Sequence, residues 1–168
     1  MYRVIVKVRS AVLVFLTHSI ALPILKVIRK PQLFPYNRQQ LQQMEEGTLG
    51  NALIKMLDDN NLQLLPYYAK HDIKHILLGY DTTDKGEVCL QCFMLGNGHI
   101  SFPVFITVVF GFIAVPEHWK SFIKAYKTGR QSNPIDGWKW FEILDEPVEA
   151  LQHRIYSKQN ECLCKQPE

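Results

Sequence analysis

The chain has 168 residues, 47% of them apolar, which supplies one domain-sized core and matches the usual length of a single domain. Nineteen Lys and Arg against sixteen Asp and Glu leave a net charge of +3, and no basic run interleaves with aromatic residues, so no nucleic-acid partner is expected. Four cysteines fall as Cys89 with Cys92 in the apolar run VCLQCF and Cys162 with Cys164 in a polar tail; the first pair reads as core filler, neither pair as a zinc or disulfide framework, and a reducing cytoplasm is the default setting.

Arg3, Lys7 and Arg9 precede an uncharged stretch, Ser10 to Leu25, in the manner of a signal peptide or short anchor. Its sixteen residues fall short of the ~20 that span a bilayer, and it contains Thr17, His18, Ser19 and Pro23. A helix over residues 3–28, bent near Pro23 and either buried or resting against lipid, is the better reading.

Apolar residues then recur at spacings of three and four, strand-like alternation is scarce, and no repeat is visible, so the expected fold class is all-α, a single-domain helical bundle over residues 1–158 with a disordered tail at 159–168. After the loop KPQLFP, Asn37 caps a helix reaching Glu46, and a further helix runs from about Leu49 to Asp58. A central pair follows, His71 to Leu78 stopped by Gly79 and Lys85 to Leu95. The second uncharged run, Ile100 to Pro116, forms the next helix, and Pro116 starts another that Gly129 ends. Two short helices, Gly137 to Ile143 and Val148 to Tyr156, close the domain, the last with Asp145 as cap. Trp138 and Trp140 read as packing or interfacial anchors, and His18 and His99 as incidental.

The chemistry concentrates in HDIKH. On a helix His71, His75 and Asp72 stand at about 0°, 40° and 100°, one arc that aims two imidazoles and a carboxylate the same way. That donor set suits a borderline divalent cation, zinc, iron or manganese nearly equally. Eleven residues separate His75 from Glu87, enough for a helical turn, a glycine stop, a loop and the start of the next helix, so Glu87 can fold back onto the same face. Each residue also has an ordinary structural explanation. Asp84-x-x-Glu87 has the form of a capping box, the histidines can bond to carbonyls, and Asp72 suits the first turn of a helix.

The stretch HDIKHILLGYDTTDKGEVCLQCF resembles the core motif of the coenzyme Q biosynthesis protein 4 family, His-Asp-x-x-His followed eleven residues later by Glu, with Gly79, Thr82 and Gly86 at the family's spacing. The resemblance covers roughly Thr48 to Tyr156 and reaches Gly129-Arg130 and the segment near Trp140. It implies an all-helical fold enclosing an apolar prenyl-lipid pocket, with a divalent metal, zinc in the first instance, held between two central helices by His71, Asp72, His75 and Glu87. The implied activity is removal of the C1 carboxyl group of a polyprenylated hydroxybenzoate, oxidatively or not, in the making of ubiquinone or a related quinone; a noncatalytic lipid carrier or scaffold is the alternative. Arg130 is the candidate for an anionic head group. The expected partners are a polyprenylated aromatic lipid, other quinone-biosynthesis proteins and the inner face of a membrane in peripheral contact, with a homodimer as another use of the apolar helices. The chain departs from the family pattern at Tyr67 to Lys70, where many members carry arginines, and at Asn97-Gly98-His99.

Overall fold

A computed structural model describes the backbone of residues 33–163 and the side chains of residues 33–158. The expected helix over 3–28, His18 and the side chains of Cys162 and Cys164 lie outside the described residues. Within them the chain is helical: α1 (Arg38–Gln42), α2 (Leu49–Asp59), α3 (Ala69–Leu78), α4 (Asp84–Gly96), α5 (Phe102–Ala114), a 3-10 turn (Pro116–His118), α6 (Trp119–Gln131) and α7 (Val148–Leu163). No strand occurs among the described residues, where Thr48 and Pro147 form an isolated antiparallel bridge.

Local chemistry sets the helix starts. Asn37 and Gln40 satisfy each other's backbone N–H groups in a full capping box at α1, Thr48 accepts from Asn51 at α2, and Thr83 accepts from Gly86 at α4. Gly79 ends α3 in the left-handed region, φ 69°, where a side chain would be strained.

Several boundaries differ from the sequence reading. α1 stops at Gln42, short of Glu46, because the chain turns there, the N–H of Met44 bonding the Leu41 carbonyl. No helix forms over Gly137 to Ile143. Asp145 caps nothing, since α7 begins at Val148 directly after the Thr48–Pro147 bridge. α7 also continues to Leu163, into the segment expected to be disordered. α6 runs past Gly129 to Gln131, so this glycine serves packing and not termination.

α4 organises the packing because its opposite faces serve two apolar clusters. Leu90, Phe93 and Met94 join the main core with Leu49, Leu53 and Leu57 of α2, Ile73 and Leu77 of α3, Leu151 and Ile155 of α7, and Trp140 and Leu144 from the irregular segment. Val88, Cys89 and Cys92 face the other way, against Phe122 and Ala125 of α6. α4 and α6 cross at two glycines: a Cβ on Gly129 would land on the Phe93 carbonyl oxygen, and one on Gly96 on the Tyr126 carbonyl oxygen. Asn97 fastens the same corner. Its amide donates to the carbonyls of Gly129 (3.1 Å) and Asn133 (3.0 Å), and its oxygen accepts from the N–H of Ile135 (3.0 Å).

A backbone carbonyl cannot swing aside as a side chain can. Gly129→Ala is therefore expected to destabilise the fold by about 2–3 kcal/mol in urea melts, whereas Arg130→Ala, exposed one residue on, should stay within about 0.5 kcal/mol of the parent.

Candidate metal centre

Three of the four residues singled out as ligands meet between α3 and α4. One ligand atom from each of His71, His75 and Glu87 can be chosen so that all lie within 4.8 Å of one another. His75 Nε2 stands 3.0 Å from Glu87 Oε1 and 3.0 Å from His71 Nε2, and His71 Nε2 stands 3.2 Å from Glu87 Oε2. Donors about 2.1 Å from one ion at tetrahedral angles would be roughly 3.4 Å apart, so the spacing suits a shared divalent cation. Three protein donors also leave room for a water or substrate in the fourth position.

The loop between the helices holds the cluster. His75 Nδ1–H donates to the Tyr80 carbonyl at 3.0 Å, and since a carbonyl only accepts, this bond makes Nε2 the ligating nitrogen of the neutral imidazole. Gly79, Thr82 and Gly86 shape this loop. Gly79 makes the left-handed turn that presents Tyr80, and Thr82 donates to the Asn60 side chain at the end of α2. Asp81 accepts from the N–H and hydroxyl of Thr83, and Gly86 lets that carboxylate and the Asp81 carbonyl lie against the first turn of α4, where a Cβ would collide with both. Tyr80 and Asp81 did not stand out in the sequence. Tyr80 acts through its backbone, which any residue supplies, and the spacing of Gly79 and Gly86 was the only signal.

Glu87 caps nothing. Thr83 is the N-cap of α4, Asp84 is its first residue, and the Glu87 carboxylate turns to the two histidines. Burial is the largest influence on Glu87 and on its own would raise its pKa, but hydrogen bonds and charge from His71 and His75 outweigh it and pull the carboxyl down to about 2. For His75 burial acts to lower the pKa, and the bond and charge of Glu87 overcome it, so the net movement is upward.

Asp72 stands beside the cluster and not among its three members. Burial raises its carboxyl, and the charges of His71, His75 and Glu87 reach it. Its place about 100° around α3 from His71 carries it to the edge of the face that the histidines share. Arg130 lies in the last turn of α6, not in a loop, and its backbone packs beside Gly96, nine residues and about 13 Å along α4 from Glu87. Cys89 and Cys92 are buried and free, and burial pushes the Cys92 thiol up to about 12, the behaviour of core filler. Trp138 and Trp140 stack on each other, and Lys74 lies over the Trp140 ring, so both serve packing.

Across the loop, on the side away from the ligands, a cavity of about 280 Å³ is lined by Tyr80, Asp81, Lys85 and Cys89 and by Ser121, Lys124 and Thr128 of α6. None of the three clustered residues lines it.

No protein-family model matches the chain, and no curated protein does. Among solved structures it is similar to a candidate ubiquinone biosynthesis protein from Nostoc punctiforme, with a TM-score of 0.60 and 23% identity over 72% of this chain and 68% of that one. What the two share at that identity is the helical fold.

The cluster yields two predictions. His75→Ala and Glu87→Ala should each abolish stoichiometric metal in elemental analysis of the purified protein, and Asp72→Ala measured beside them decides whether this residue is a ligand. The pH response of the metal-free protein follows from the shifts. Raised above its ordinary 6.5, His75 contributes stability that is complete below 6.5 and lost as pH rises through its folded value. Lowered from 4.5 to about 2, Glu87 contributes stability that is present above 4.5 and lost as pH falls toward 2. The melting temperature of metal-free protein should thus benefit most between pH 4.5 and 6.5, and Glu87→Gln should flatten that maximum. Metal affinity should instead climb as pH rises from about 6 to about 8, because a ligating imidazole must be neutral.

Proposed function

We propose that this chain is a divalent-metal-dependent lyase of quinone biosynthesis that removes the C1 carboxyl group of a polyprenylated hydroxybenzoate. The observation that carries the reading is the meeting of His71, His75 and Glu87 on two helices and a loop whose residues match the family motif. The fold shared with the Nostoc protein, named for ubiquinone biosynthesis, supports it. Two imidazoles and one carboxylate fit zinc, with iron or manganese next, and the ion would supply Lewis-acid stabilisation of the negative charge that gathers on the ring.

The chain's own groups do the rest. Glu87 would offset part of a bound ion's charge, and the bond from His75 to Tyr80 keeps that imidazole oriented. His75 is buried while His71 and Glu87 are partly exposed, so a substrate approaches from the side of the latter two. As the bond from C1 to the carboxyl group breaks, carbon dioxide leaves and the electron pair stays on the ring. A proton must then reach C1, and the Asp72 carboxyl, raised by burial, would be its nearest source if Asp72 is not itself a ligand.

The test is to incubate purified, zinc-loaded protein with a prenylated hydroxybenzoate, with and without oxygen, while following carbon dioxide and the ring product. Equal yields of the two are expected, with His75→Ala reducing the rate at least about 100-fold. Tight lipid binding with no turnover in either condition would establish the carrier reading instead.

A further inference from the structure

α5 is uncharged, with Thr107 as its one hydroxyl side chain, and one of its faces is not buried. Phe102, Phe105, Ile106, Val109 and Ile113 are exposed, Ile113 to 76%, and all five fall within one arc of about 100°. The opposite face packs inward through Gly111, which sits so tightly on Val88 of α4 that a Cβ there would collide with the valine methyls. The patch continues onto α6 through Trp119, Ile123 and Tyr126, all exposed. Trp119 is pinned at the bend between the helices, its indole N–H donating to the Phe112 carbonyl at 2.6 Å.

The charges around this patch are mostly positive. Between Ile100 and Gln131 stand Lys120, Lys124, Lys127 and Arg130 against a single acid, Glu117, and the run from Ile100 to Pro116 has no charge. On α6 the three lysines are exposed and occupy the flank next to the strip of Trp119, Ile123 and Tyr126, at about 80–140° from Trp119.

We propose that the exposed arc of α5 and the adjoining strip of α6 form a docking face for an anionic phospholipid surface. The apolar arc enters the acyl boundary, and the lysines meet the headgroups. α5 lies in the interface and does not cross it, because its 13 residues make about 20 Å against a hydrocarbon core of about 30 Å. No single helix among the described residues is long and apolar enough to cross a membrane; α5 together with Pro116–Gln131 reaches that composition only as a pair bent by 103°. An apolar arc bordered by lysines, with a tryptophan at its edge, has the composition of interfacial anchors. A second copy fits the same face less well. Face-to-face pairing would bring the like-charged lysine flanks of both copies to one interface, and the α5 arc offers no side-chain hydrogen bond to a partner.

The inference extends the function proposed above by naming where its lipid is collected, since α5 crosses α4 at Val88, next to Glu87. It is tested without turnover. Purified full-length protein is sedimented with sucrose-loaded vesicles of phosphatidylcholine alone or mixed with phosphatidylglycerol. Anionic vesicles should bind at least tenfold more tightly than neutral ones, and about 0.5 M salt should weaken the binding. Phe105→Ser with Ile113→Ser should remove binding to both kinds. Lys120→Gln, Lys124→Gln and Lys127→Gln together should lose on the order of 100-fold on anionic vesicles alone, with melting temperatures showing that both variants remain folded. His75→Ala should bind vesicles like the parent, which separates this inference from the lyase reading. Unchanged binding in both surface variants would overturn it, as would a parent that ignores vesicles. So would a dimer in light scattering that dissociates on Ile113→Ser without any vesicle binding, which would make the face an interface between copies.

Discussion

Glu87 keeps its negative charge in a largely buried place because two imidazole nitrogens stand about 3 Å from it. Burial alone would drive that carboxyl toward its neutral form. Everything around the site maintains the meeting: α3 brings both histidines to one face, the Tyr80 carbonyl orients His75, and Thr83 relieves Glu87 of any duty as a cap. Desolvation of these charges offsets part of their attraction. The value of the constellation lies in donor atoms gathered before any cation arrives.

α4 links this centre to the rest of the molecule. One face completes the main core, the opposite face receives α6 at two glycine contacts, and Val88, beside Glu87, supports α5. A helix so constrained cannot shift without moving Glu87 relative to the histidines. The cavity across the loop and the exposed face of α5 lie on the α6 side of α4, whereas the ligands lie on the α3 side.

Much of the architecture was legible because it depends on neighbours in sequence. The stop at Gly79 and the start at Asn37, and the positions of α2, α3 and α4, follow from capping chemistry and apolar spacing within a few residues. The errors fell where distant contacts decide. Gly129 looks like a helix stop, yet it sits inside α6 because α4 presses against it, and Asp145 looks like a cap until the bridge of Thr48 with Pro147 claims that stretch. The uncharged run from Ile100 reads equally well as a buried helix, and burial cannot be inferred from a segment that is apolar on every side.

For the site itself, the sequence by itself determined that His71 and His75 share a helix face, since residues four apart always stack within about 40°. It also determined, through the spacing of Gly79, Gly86 and Glu87, that a second helix could return a carboxylate to them. Only the tertiary structure decided that Glu87 turns to the histidines and not to its own helix end, that Asp72 stands outside the three, and that Tyr80 lends its carbonyl. These outcomes depend on how α3, the loop and α4 pack, and the orientation of a side chain between two helices is set by atoms far apart along the chain.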